Sequence, residues 1–273
     1  MNAAARTAAR AWTADEMMTV TAARHLRDGA VCFVGIGLPS AACNLARLTH
    51  APNLVLIYES GTVGTRPSVL PLSIGDGELA ETADCVVPLP EIFAHYLQAG
   101  RVDVGFLGAA QIDRFGNLNS TVIGSYARPS VRLPGSGGAP EIATHAREVL
   151  VVMKQSPRSF VPQLDFRTSC GYLDGGGARR ASGCPGSGPR AVITDFGVLR
   201  PRADTDELEL AAVYPGVAVD AARAATGWPL RVAPEVEVLA APDPRDLACL
   251  RDLHARTQAA HAAPVRIALP AKL

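Results

Sequence analysis

The sequence predicts an α/β domain of three layers, with helices on both faces of a mostly parallel sheet. Three observations carry that expectation. Short, uniformly apolar runs of strand length recur along the chain, the pattern of strands buried on both faces. Stretches of helical character separate them, as crossovers between parallel strands require. The 273 residues are 48% hydrophobic and 19% charged, enough apolar material for a large core and too little charge for a disordered chain.

Taken in order, residues 30–34 (AVCFV) read as a first strand, followed by GIGLPS and a helix over residues 41–48. Residues 54–58 (LVLIY) form a second strand. Residues 85–87 form a third, ahead of a helix over 90–98, and residues 102–107 (VDVGFL) a fourth. Residues 149–152 and 191–194 continue the sheet. Residues 208–228 read as a strand, a turn at Pro215 and Gly216, and a helix. The run GGGARRASGCPGSGP at 175–189 is expected to be a flexible surface excursion, because a core strand resumes directly after it. These elements place a single domain over residues 16–256, with tails at 1–15 and 257–273.

Charge and composition exclude several classes. Lys plus Arg and Asp plus Glu number 26 each, so nothing favours a nucleic-acid partner. No apolar run is long enough to span a membrane. The Ala- and Arg-rich start lacks a secretory apolar core. Cys32, Cys43, Cys85, Cys170, Cys184 and Cys249 form no C-x-x-C pair, and the histidines show no H-x-x-x-H spacing. No metal site is therefore expected, and the cysteines are read as small buried residues of a cytoplasmic protein.

Gly35 and Gly37 follow the first strand and precede a helix, where a dinucleotide-binding fold places its glycines. Glu59 lies 24 residues beyond Gly35. Ser40 at the third glycine position and Pro39, which lacks an amide, count against that reading. So does the second glycine loop, SGTVG, where a helix would be needed. Glu59 instead ends an apolar strand and opens a glycine loop, so its carboxylate points into the crevice where α/β sheets bind ligands. Gly61 and Gly64 let the backbone approach a substrate closely. Spacing alone leaves a helix cap or a loop ion pair open.

The run GIGLPSAACNLARLTHAPNLVLIYESGTVG resembles the β-subunit segment of CoA-transferases of the 3-oxoacid, 3-oxoadipate and glutaconate type. LPLSIGDGELAETAD, GRVDVGFLGAAQIDRFGNLNST, LPGSGGAPEIA, MKQSPRSFV, VITDFGV and YPGV continue the resemblance in order, from about Met18 to His254. It implies an α/β/α CoA-transferase fold, with Glu59, in the form Glu59-Ser60-Gly61, as nucleophile. The chemistry implied is transfer of CoA from a donor such as succinyl-CoA to an acid such as 3-oxoadipate, through a glutamyl-CoA thioester. CoA is then a substrate, and no permanently bound cofactor is expected. The loop GSGGAPEIA resembles the family's oxyanion loop, which implicates Gly137, Gly138 and Ala139, with the Gly138 and Ala139 amides facing the oxyanion. Pro140 stands where the oxoacid enzymes have Met. Gly35, Gly37, Ser60 and Gly61 are expected beside CoA or substrate, and Gly108, Ala109 and Gln111 are implied near the pantetheine arm or the Glu59 loop, with a purely structural role equally open for the last three.

The resemblance also implies an α-type partner subunit that completes the cleft, in a heterodimer or heterotetramer. Arg66, Arg114 and Arg128 are candidates for the distal carboxylate of a dicarboxylic substrate. A glutaconate-specific transferase is the alternative within the family, and a same-fold hydrolase of CoA-linked rings the alternative outside it; the latter lacks an E-x-G nucleophile. A sugar-phosphate isomerase or sensor would need a better phosphate loop than SGTVGTR. A noncatalytic subunit would not need Glu59 beside two intact glycine loops.

Overall fold

Thr13 opens the first helix through a capping box. Its hydroxyl accepts from the Glu16 amide at 3.1 Å, and its own amide donates to the Glu16 carboxylate at 2.7 Å. This helix, α1 (Ala14–Arg24), leads through β1 (Val31–Phe33) to α2 (Leu38–Thr49) and β2 (Val55–Ile57). The chain then turns back as β3 (Thr62–Val63) and passes α3 (Gly77–Glu81) and β4 (Cys85–Val86). A short helical turn, α4 (Leu89–Glu91), runs on as a π-helix (Ile92–Leu97) into β5 (Val104–Leu107). Two small hairpins follow, β6 (Gln111–Ile112) with β7 (Leu118–Asn119), and β8 (Val122–Ser125) with β9 (Arg128–Arg132). Helix α5 (Ala139–His145), β10 (Glu148–Val152), α6 (Ala178–Ala181), β11 (Pro189–Ile193), β12 (Gly197–Pro201) and β13 (Leu208–Val213) come next. The fold closes with α7 (Val219–Ala224), β14 (Arg231–Val238) and α8 (Pro244–Ala262). This is a computed structural model, and it describes residues 11–262.

Among the described residues the main sheet has ten strands in the order β14-β13-β12-β11-β10-β5-β1-β2-β3-β4. Its centre, β11-β10-β5-β1-β2, is parallel throughout, while β12 and the β2-β3-β4 edge are antiparallel. Alternate residues of the central strands feed two separate cores. Cys32, Leu56, Phe106 and Leu150 face α1, α2 and α8, together with Met17, Met18, Leu45 and Leu250. Phe33, Ile57, Leu107 and Val151 face the π-helix, α5 and α7, together with Ile92, Leu97, Ile142 and Ala222. This is the three-layer arrangement the apolar runs predict: the central strands β1, β2 and β5 are apolar along their whole length because both faces are covered.

Several expectations need correction. Helix α8 runs through Ala262, and Thr257 Oγ1 accepts from the Leu70 amide at 2.9 Å, so the boundary expected at 257 falls inside a helix. At the other end α1 begins at Ala14, inside the expected tail; residues 1–10 and 263–273 lie outside the described residues. The 175–189 run is anchored rather than loose. Arg179, 4% exposed, donates to the carbonyls of Ala143 at 2.6 Å, Gly171 at 2.8 Å and Gly186 at 2.9 Å. A buried guanidinium without hydrogen bonds would be costly, and carbonyls from three segments satisfy this one. Of the cysteines, only Cys32 and Cys43 are buried, while Cys85 is exposed. No described helix is long and apolar enough to cross a membrane.

Candidate active site

The site is assembled at the C-terminal ends of β1, β2 and β5. Gly35, Glu59 and Gly108 emerge there side by side, and residues 134–139 approach from the β9–α5 connection. Together with Phe33, Ile74, Phe106, Leu107 and Ile142 they line a cleft of about 300 Å³. Among the described residues Glu59 is the only ionisable side chain in that lining.

Glu59 stands at the corner of a hairpin rather than at the start of a crossover. The Tyr58 amide donates to Thr62 O at 3.1 Å, and the Gly61 amide donates to Tyr58 O at 3.0 Å. The chain therefore reverses over Glu59-Ser60-Gly61, from β2 into β3. Behind it, the Tyr58 ring is fully buried and its hydroxyl lies 3.0 Å from Ser40 Oγ. Burial pushes the Tyr58 hydroxyl pKa up, so it is the neutral phenol that holds this contact. The Asn44 amide nitrogen donates to Ser40 O at 2.9 Å. Ser40 is thus not a defective glycine-motif position: its hydroxyl ties α2 to the strand that carries Glu59.

Gly61 has φ +108°, and a Cβ there would run into the Val87 carbonyl oxygen and lie 3.2 Å from the Val87 carbon. The Val87 amide meanwhile donates to Gly61 O at 2.9 Å. Glycine is required at 61 because β4 passes close by. Gly61 itself does not line the cleft.

The glycine loop reaches Glu59 from the opposite side. An ideal Cβ on Gly138 would lie 3.5 Å from the Glu59 carboxyl carbon. The Ser120 hydroxyl donates to Gly135 O at 2.8 Å, and the Gly135 amide donates back to Ser120 O at 2.9 Å, which fixes the loop's entry. At its exit, α5 packs against β5 where Gly105 has no side chain; a Cβ there would strike Ile142 and lie 3.0 Å from Ala146 Cβ. The amides of Gly137 and Gly138 have no acceptor among the described residues. The Ala139 amide does not share that freedom: it donates to Ser136 O at 3.0 Å. The free donors are therefore Gly137 and Gly138, shifted by one residue from the expected pair, because Ser136 to Ala139 closes as a turn before the helix.

The other expected residues lie elsewhere. Gly37, Ser60, Ala109 and Gln111 do not line the cleft. Gly37 borders a separate cavity with Thr13, Leu70 and His254. Gln111, 6% exposed, donates to Asp165 Oδ2 at 2.9 Å and accepts from Asn119 at 2.7 Å. Asp113 accepts from the Phe115 and Asn117 amides at 2.9 and 3.0 Å, and burial raises its carboxyl above the usual range. The QIDRFGNLN stretch is thus held together by its own hydrogen bonds and by Asp165. None of the three candidate arginines reaches the cleft. Arg66 pairs bidentately with Asp84 at 2.6 and 3.1 Å, Arg114 borders another cavity, and Arg128 is exposed on β9. Phe93, Ser120 and Ile74 carried no signal in the sequence that distinguished them from ordinary core or loop residues.

A carboxylate beside unpaired backbone amides, in an apolar cleft at the strand ends, is the equipment of nucleophilic acyl chemistry. Residues 15–225 match the coenzyme A transferase family, and the chain belongs to it. It is 60% identical over 251 residues to one of the subunits of 3-oxoadipate CoA-transferase from Pseudomonas knackmussii, covering 92% of this chain and 96% of that one. The crystal structure of glutaconate coenzyme A-transferase from Acidaminococcus fermentans superposes with a TM-score of 0.85 at 36% identity, covering 93% of this chain and 99% of that one. The decarboxylase AibA/AibB has a TM-score of 0.77 at 27% identity, covering 89% of this chain and 95% of its own. One fold thus hosts more than one reaction, and the site residues decide between them.

Proposed function

We propose that this chain is the glutamate-bearing, β-type subunit of a CoA-transferase acting on dicarboxylic acyl groups of the 3-oxoadipate class. The observation that carries the reading is Glu59, the one ionisable residue of an apolar cleft, set against the unpaired amides of Gly137 and Gly138. The 60% identity to a 3-oxoadipate CoA-transferase subunit supports the substrate class.

In this mechanism a Glu59 carboxylate oxygen attacks the thioester carbonyl of the donor. The C–S bond breaks, leaving an acyl–glutamyl anhydride and CoA thiolate. The thiolate attacks the Glu59 carboxyl carbon and expels the donor acid, which leaves a glutamyl-CoA thioester. The acceptor carboxylate attacks the same carbon and releases the thiolate, which then attacks the acceptor's carbonyl to give the new acyl-CoA and free Glu59. Each attack creates an oxyanion for the Gly137 and Gly138 amides to receive, and the apolar walls limit hydrolysis of the anhydride and thioester. Among the described residues the cleft holds no Lys, Arg or His, so the cation for a distal carboxylate is assigned to an α-type partner. The Pseudomonas relative is itself named as one subunit of its enzyme, which agrees with such a heteromer.

The test is to incubate the heteromer with donor acyl-CoA and no acceptor. CoA should accumulate on Glu59, borohydride should inactivate the enzyme, and peptide mapping should place the change within LVLIYESGTVG. Glu59→Gln should fold and assemble normally yet lose transfer. Sustained transfer by Glu59→Gln, without deamidation, would sink the assignment. Preference for glutaconate over 3-oxoadipate as acceptor would move the substrate class to that of the 36% relative.

A further inference from the structure

We propose that Phe93 is a positioning residue for the glycine loop, holding the Gly138 backbone against Glu59. The inference rests on the reading of Glu59 as the nucleophile. It begins from the π-helix. The Gln98 amide donates to Phe93 O and the Arg101 amide to Tyr96 O, both at 2.8 Å, each spanning five residues instead of four. A π turn is a rare conformation that occurs frequently at functional sites.

Here the widened turn carries Phe93, half-buried between two site elements. Its ring centroid lies 5.9 Å from that of Phe33, with the planes at 48°. The Cζ–Cε1 edge of the ring faces the loop. A Cβ on Gly138 would stand 2.7 Å from Phe93 Cζ and 2.9 Å from Cε1, and only 3.5 Å from the Glu59 carboxyl carbon. Gly138 has φ −81°, a conformation open to any residue. The glycine is therefore imposed by the ring and not by the backbone. At the far end of the π-helix, Gln98 Nε2 donates to Glu141 Oε2 at 3.2 Å, which ties the same segment to the first turn of α5. Phe93 is not part of the cleft lining, so it acts on the reaction through Gly138 rather than by touching substrate.

A double-mutant cycle on the assembled heteromer tests this. Phe93→Ala should lower kcat about 10- to 100-fold, the effect of loosening a reacting geometry by a fraction of an ångström to 1 Å, with KM for acyl-CoA little changed. Gly138→Ala should fall comparably, because its methyl group meets the ring. In the double variant the methyl enters the space the ring has left, so kcat should exceed that of Gly138→Ala by roughly tenfold. Phe93→Leu, which keeps more of the packing, serves as a second route to the same cycle. Thermal melts of the same proteins form a parallel cycle. Coupling in Tm without coupling in kcat would reduce the contact to a fold contact and overturn the proposal. Coupling in neither would overturn the contact itself. The melting cycle does not depend on Glu59 chemistry, so a failure of the nucleophile reading, seen as transfer by Glu59→Gln, remains separately visible.

Discussion

Gly61→Ala isolates how the strand edge holds Glu59. The glycine adopts φ +108°, and the new methyl group would press on the Val87 carbonyl. A non-glycine residue in that backbone region costs about 1–3 kcal/mol. Relieving the clash by moving β4 also weakens the Val87 amide to Gly61 O bond, worth about 0.5–1.5 kcal/mol. The combined loss is about 1.5–4.5 kcal/mol. At about 2–4 °C per kcal/mol for a chain of this size, Tm should fall by about 3–18 °C. Activity should suffer as well. If the hairpin corner instead yields, it moves by on the order of 1 Å, and Glu59 two residues away moves with it, a misplacement that costs about 10²-fold in kcat. Scanning calorimetry of the heteromer and steady-state transfer assays check both numbers. A Gly61→Ala protein with parental Tm and parental kcat would refute the argument that the β4 crossing requires glycine and sets the Glu59 position.

Two further outcomes follow from the same geometry. Glu59→Asp withdraws the carboxylate by one carbon–carbon bond, about 1.5 Å, so kcat should fall at least about 10²-fold while Tm stays within a degree or two, measured by transfer assay and melting. His25, beside Arg190, Arg200 and Glu237, has its pKa lowered to about 4 by burial and then by the two arginines. Its stabilising contribution is whole above the usual value of 6.5 and is lost as pH falls from there toward about 4, because the unfolded chain takes up the proton first. A Tm-against-pH series should show that decline, and His25→Gln should flatten it; an unchanged slope would exclude His25 as its source.

The apolar runs at 31–33, 55–57, 104–107 and 149–152 were legible as core strands because burial on both faces leaves a continuous hydrophobic signature that needs no partner to read. Glu59 was legible as the residue that ends a core strand and opens a glycine loop, which leads to the sheet's C-terminal edge, whereas Gly138 was implicated only by the resemblance of its loop to that of the CoA-transferases. What lay beyond reach was everything decided by a neighbour distant in the chain. The edge strands β3 and β4 are two residues each, too short to show a period, yet their crossing makes Gly61 obligatory. Arg179 looked like part of a solvated loop and is buried by carbonyls as many as 36 residues away. Gln111 was left open between a site role and a structural one, and its amide is bound by Asp165, 54 residues on. The Ala139 amide was lost to a local turn whose closure depends on how Gly135 is tethered to Ser120. Phe93 looked like one more core aromatic until the fold set its ring against Gly138. Sequence alone determines which segments are buried and which turns need glycine, because hydrophobic periodicity and backbone sterics are local. The satisfaction of each polar group and the space left for each side chain are set by atoms brought together only on folding, and those were decided by the tertiary structure.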